Sequence, residues 1–141
     1  MFTLHERLVA DSIRVGELPL CALLLINDAN YPWFVLVPKR VEVREIYHLD
    51  KVDRLQLLGE SCVLSEVMEA VFTPLKMNIA ALGNMVPQLH LHHIARFSDD
   101  AAWPNPVWGM VPAKIYDGES QEKIISLMQQ GFDNTNLRLE V

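Results

Sequence analysis

The stretch Gln88-Leu89-His90-Leu91-His92 alternates polar and apolar side chains, and it constrains the fold of this chain more than any other segment. Successive side chains of a β-strand point to opposite faces. The register therefore puts Gln88, His90 and His92 on one face and Leu89, Leu91 and His93 on the other, and predicts a strand from about Gln88 to Phe97. Strand rise sets His90 and His92 about 7 Å apart at the backbone, so two imidazoles could address different oxygens around one phosphorus. Three readings of this polar face compete. It can be a solvated surface, a catalytic pair, or two ligands offered to a metal such as zinc. Spacing alone leaves all three open.

The elements around that strand point to an α+β fold. Leu4, Leu8, Val9 and Ile13 recur at helical spacing over residues 3 to 13, until Gly16 breaks the pattern. Pro19 leads into a buried-strand candidate, Leu20 to Ile26, and a second apolar run covers Trp33 to Val37. The turn-rich segment between them, Asn27 to Pro32, predicts an antiparallel hairpin. Asp50 opens the longest helical stretch, which Pro74 ends. Leu55, Leu58 and Cys62 define an apolar stripe there, with Leu64, Val67, Met68 and Val71 extending it. So broad a surface suits burial against a sheet and against a second subunit. Lys76 to Leu82 reads as a strand stopped by the turn pair Gly83 and Asn84, and a last helix covers Glu119 to Gln130, ended by Gly131. Strands, one long helix and further strands favour α+β over alternating βαβ.

Composition removes several function classes. The longest apolar run, Leu20 to Ile26, falls well short of the roughly 20 residues of a membrane span. The first residues carry no basic region followed by an apolar stretch, so the expected location is cytoplasmic, with no membrane partner. Cys21 and Cys62 sit among apolar neighbours and are expected to be buried free thiols. A net charge of −6 argues against binding a nucleic-acid polymer, though not against a small phosphate ligand. The compact basic cluster Lys39, Arg40 and Arg44 reads first as solvated surface and second as help for an anionic substrate. No linker or repeat interrupts residues 1–141, which are read as one domain.

Val86 to Arg96 resembles the signature of the histidine triad (HIT) family, in which three histidines alternate with apolar residues along a strand. Members end that signature with two apolar residues, a proline and an arginine. Aligning on Arg96 puts Ala95 at the proline and His93 with Ile94 at the apolar pair. His92 then matches the third triad histidine, His90 the central one, and Gln88 replaces the first. Gly83 and Asn84 fall where relatives have a glycine and a phosphate-contacting polar residue. The hairpin resembles the family's nucleotide cradle, with Asn27 at the ribose-binding position and Asp28 beside it as the reserve candidate. The likeness covers about residues 20–97. In the tail 98–141, Trp103 to Gly109 resembles a segment of bacterial members, with no chemical role assigned to it.

The resemblance implies a HIT-like fold: a mainly antiparallel sheet of about five strands, one long helix packed on it, and N- and C-terminal helices. It implies a homodimer with a continuous sheet. It also implies a nucleotide hydrolase or transferase acting on a dinucleoside polyphosphate or a nucleoside phosphoramidate. His90 would be the nucleophile toward the α-phosphorus, with a backbone carbonyl fixing its tautomer. His92 and Gln88 would donate to phosphate or leaving-group atoms, Asn84 to the phosphate, and Asn27 would hold the ribose. No metal or cofactor enters this scheme. His93 is expected to pack or hydrogen-bond on the far face. The alternatives are a nucleotide-binding sensor with little turnover, and a metal-binding protein using His90 and His92.

Overall fold

Apolar runs too short for helices pair into one antiparallel sheet in the computed structural model, which describes residues 1–141. The strands are β1 (Ser12–Glu17), β2 (Cys21–Ile26), β3 (Trp33–Pro38), β4 (Lys76–Ala80) and β5 (Leu91–Arg96), in the spatial order β1-β2-β3-β5-β4. The predicted hairpin is β2–β3, in register from Cys21 opposite Pro38 to Leu25 opposite Phe34. Its turn is built by Asp28, whose Oδ1 accepts from the Asn30 backbone at 3.0 Å.

Three helices complete the chain: α1 (Glu6–Asp11), α2 (Lys51–Phe72) and α3 (Gly118–Asp133). Asp50 caps α2, accepting from Asp53 N at 2.8 Å, a bond worth about 1 kcal/mol. Before Pro74, Thr73 ends α2 in the left-handed region with φ 49°. Helix α2 covers one face of the sheet. Leu57, Leu64, Val67 and Met68 meet Leu23, Phe34, Leu36 and Leu91 in the larger core, and each fully buried side chain contributes roughly 1.5–3 kcal/mol. The other face is covered by the N-terminal segment and the tail around Ala102 to Trp108.

Several expectations need correction. Residues 12–17 form a strand, not the end of a helix, and Gly16 lies inside it at a bulge. A Cβ at Gly16 would come within 2.7 Å of the Glu140 carbonyl, so glycine there admits the bridge between Glu17 and Glu140. Leu55 and Leu58 face outward at 72% and 61% exposure, and Cys62 is exposed while Cys21 is buried. The inward face of α2 keeps Leu64, Val67 and Met68 as predicted, but its first half is formed by Leu57, Glu60 and Ser61 rather than Leu55, Leu58 and Cys62, because polar Glu60 and Ser61 have buried partners. Glu60 accepts from Leu20 N and Cys21 N at 2.8 and 3.0 Å. Gly131 does not end α3. It lies within the helix, where a Cβ would come within 2.6 Å of Val67, so its role is close packing of α3 on α2.

Candidate active site

The central strand of the site, β5, begins at Leu91 rather than Gln88, with β3 on one side and β4 on the other. Both of its edges are paired, which makes it a rigid mount. His90 sits on the entering turn, where Leu89 N donates to the Val43 carbonyl at 2.9 Å. His90 Nδ1 lies 2.7 Å from the Gln88 carbonyl. A carbonyl can only accept, so Nδ1 carries the ring proton and Nε2 holds a free lone pair. Gly83 closes on this ring: a Cβ there would stand 3.0 Å from His90 Cε1 and 2.9 Å from the Val86 carbonyl. Any larger residue would displace the imidazole.

His92 carries the opposite tautomer. The Trp33 indole donates to its Nδ1 at 3.0 Å, so Nε2 bears the proton and donates to the Leu82 carbonyl at 2.7 Å. Burial pushes its pKa down to about 4. The Leu82 bond opposes that push, and the neighbouring His90 adds to it. His92 is therefore neutral near pH 7. The His90 and His92 rings lie 4.8 Å apart, centre to centre, and share a cleft of about 360 Å³ with Gly83, Asn84, Val86 and Trp108.

His93, one residue on, points to the opposite side of the sheet as expected. It is fully buried beneath α2, with Ser61 Oγ 2.7 Å from Nε2 and the Leu91 carbonyl 3.0 Å from Nδ1. Nδ1 donates to that carbonyl, so the serine hydroxyl donates to Nε2. Burial again lowers the pKa to about 4.

Sequence reasoning assigned no role to the tail, and the structure makes it a wall of the site. Trp108 stands edge-on to both His92 and Trp33, at 5.1 and 5.6 Å between ring centres. Arg96 holds the loop leading to it. Its guanidinium is bidentate on Asp100 at 2.8 and 3.1 Å, and it donates to Asn78 and to the Asn105 carbonyl at 2.8 Å each. Asp100 also accepts from the backbone of Phe97, Ala102 and Trp103. Burial works to raise the Asp100 pKa, but Arg96 and these backbone donors overcome it and hold the carboxyl well below its ordinary range. An arginine facing the same side as His92, with an aspartate four residues later, was the available sequence signal.

On the other side of Trp108 lies a second cavity of about 440 Å³, lined by Ile26, Asn27, Asp28, Trp33 and Val111 among others. Asn27 Oδ1 accepts from Tyr116 N at 3.0 Å, which leaves its amide nitrogen unengaged, while Asp28 Oδ1 accepts from Lys114 N at 3.2 Å. The tail thus straps the hairpin turn from outside. The structure brings His90, His92 and Asn84 into one cleft and sets Asn27 in the adjoining one, with Trp108 common to both.

Gln88 departs from the expected shared face. It precedes the strand, and its side chain is taken by the N-terminal segment: Oε1 accepts from His5 N and Nε2 donates to the Thr3 carbonyl, both at 2.9 Å. What it offers His90 is its backbone carbonyl. No group of three or more His, Cys, Asp or Glu side chains is arranged to hold a metal ion. Both nitrogens of His92 already have protein partners, so a metal at the His90–His92 pair would have to displace Trp33 or Leu82.

Known proteins share this fold. The family model described as HIT domain matches residues 7–99. A histidine triad protein from Marinobacter aquaeolei VT8 is 51% identical, with 94% of this chain and 97% of that one covered and a TM-score of 0.92. One from Bradyrhizobium japonicum is 46% identical over 92% and 97% of the two chains, TM-score 0.91, and one from Sinorhizobium meliloti is 38% identical over 93% and 97%, also 0.91. No curated protein sequence matches the chain.

Proposed function

The chain belongs to the histidine triad family, and from that premise we propose that it is a nucleotide hydrolase or transferase in which His90 attacks an α-phosphate. Family membership by itself supports a nucleotide-binding, hydrolase-type function. The observation that carries the finer reading is the 2.7 Å bond from His90 Nδ1 to the Gln88 carbonyl, which leaves the Nε2 lone pair as the free nucleophile in the cleft. Nε2 forms a bond to the α-phosphorus, and the bond from phosphorus to the bridging atom breaks toward the leaving group. The nucleotidyl-imidazolium keeps its proton on Nδ1, donated to the Gln88 carbonyl. Water then attacks phosphorus, the N–P electron pair returns to Nε2, and the proton of water leaves with the products.

The other residues act by position. Asn84 donates to the phosphate. His92 supplies a neutral N–H, held by the Leu82 carbonyl until a phosphate oxygen or the bridging atom takes it over. The nucleoside fills the cavity beside Trp33 and Trp108, with the free amide of Asn27 toward the ribose hydroxyls, while Asp28 anchors the tail. No helix is long and apolar enough to cross a membrane.

We also propose a homodimer. Edge strand β4 and the outward face of α2 carry an apolar groove of about 670 Å³ with Leu58, Cys62 and Ile79 at its surface, where a second sheet would continue the first. Light scattering should report two chains, and a single chain for Leu58→Glu. A parent protein that runs as one chain contradicts this part.

The function is tested by incubating the protein with diadenosine tetraphosphate and, separately, adenosine phosphoramidate, beside His90→Ala. Nucleoside monophosphate released by the parent and not by the variant supports the reading. Nucleotide bound without any product favours the sensor alternative.

A further inference from the structure

We propose that Arg44, with His48, forms an anion subsite for the leaving group on the far side of Asn84 from the nucleophile, so that the site prefers leaving groups bearing phosphate. This rests on the nucleotidyl-transfer reading of His90 and extends it to the part of the substrate that departs.

A polar cavity of about 300 Å³ opens beside the catalytic cleft, lined by Arg44, His48, Gly83, Asn84 and Pro87 among others. Gly83 and Asn84 line both spaces, so a chain of phosphates starting at His90 can run past Asn84 into this cavity. The position of Arg44 is fixed from the same turn as the nucleophile, because neighbouring Val43 accepts from Leu89 N at 2.9 Å.

The donors there are uncommitted. Lys39 is paired with Glu17, and Arg40 is bidentate on Asp53, so both other members of the basic cluster have carboxylate partners. Arg44 has none: only its backbone N–H is engaged, on His48 Nδ1 at 3.2 Å. That bond and a second from Glu45 N, also 3.2 Å, make Nδ1 an acceptor. The His48 proton is therefore on Nε2, free for a ligand. A guanidinium fork beside an imidazole N–H matches the oxygens of a phosphate. Glu45 shares the cavity wall and tempers its field, which keeps the expected effect moderate. His92 supports the same preference. Being neutral, it is poorly suited to deliver the proton a departing amine needs, whereas a polyphosphate leaves as an anion.

The test uses the full chain and Arg44→Gln, an exposed substitution. The ratio of kcat/KM for diadenosine tetraphosphate to that for adenosine phosphoramidate should fall about tenfold in the variant, the scale of one lost charge-assisted hydrogen bond. Calorimetric titration with tripolyphosphate should show binding to the parent and about tenfold weaker binding to Arg44→Gln, and it requires no turnover. An unchanged ratio, or equal tripolyphosphate affinity in the two proteins, overturns the subsite. Absence of product from every nucleotide, with tripolyphosphate binding still dependent on Arg44, counts instead against the role given to His90.

Discussion

His92 and His93 are adjacent, both buried and both depressed in pKa to about 4, yet one wall of β5 separates two different settings. His92 faces a cleft shared with His90, Asn84 and Trp108, and its donor nitrogen is held only by a loop carbonyl. His93 faces α2, and its two nitrogens tie the Leu91 backbone to a helix serine. The period-two geometry of a strand accounts for the divergence. Histidine is suited to chemistry only where its partners can be exchanged for a ligand; where they are sealed in a core, the same ring is a structural bridge.

Removing a ring from each face of β5 separates the two histidines most sharply. His90→Ala should lower turnover by roughly 10³-fold or more while leaving the circular dichroism and unfolding midpoint near those of the parent, since both nitrogens of the neighbouring His92 are engaged and cannot replace it. His93→Leu should do the reverse, retaining activity while shifting the unfolding midpoint. Comparable activity losses at both positions would contradict the division of roles.

Next in size is the hub that carries the tail wall. Asp100→Ala leaves Arg96 buried without its carboxylate and should cost about 3–5 kcal/mol in denaturant unfolding. It should also raise KM for nucleotide more than the milder Trp108→Ala does. Unchanged stability would show that the guanidinium finds other partners.

The two histidines also make a shared prediction for acid. Each has a folded pKa of about 4 against about 6.5 unfolded, so between these values the unfolded chain binds more protons and stability rises with pH. As pH falls through that window the protein should lose up to ~1.4 kcal/mol per pH unit for each ring. Unfolding titrations should therefore show half the slope in His93→Leu. A slope unaltered by that substitution would mean His93 is protonated in the folded state.

The smallest effect is expected at Gln88. Gln88→Ala removes both bonds to residues 3–5 but keeps the carbonyl that orients His90. A severalfold loss of kcat, with KM little changed, is the expected result of a looser carbonyl. A loss as deep as that of His90→Ala would assign the side chain a direct part in the chemistry.

Much of this was legible in the sequence for stated reasons. The hairpin, the Asp50 cap and the opposite facing of His92 and His93 follow from local rules of turn chemistry, capping and strand alternation. Strand β1 was not legible, because Gly16 looks like a break until Glu140 is seen packed against it. Nor was the inward face of the first half of α2, where Glu60 and Ser61 are buried by partners 32 to 40 residues away in sequence, whereas Leu64, Val67 and Met68 lie inward as their spacing predicts. The site divides the same way. His90, His92 and Asn84 lie near one another in the chain and were found together. The Trp108 wall depends on a folded loop held by Arg96 and Asp100, and the diversion of Gln88 depends on a segment 83 residues distant.

Turnover through His90 requires a transient covalent bond between its Nε2 and the nucleotide phosphorus. Rapid acid-free quenching of the parent during turnover of diadenosine tetraphosphate, followed by peptide mass spectrometry, tests it directly. One nucleoside monophosphoryl group is expected on the peptide containing His90, localised to that ring and absent from His90→Ala. Product formation with no adduct on His90, or an adduct on His92 instead, would contradict it.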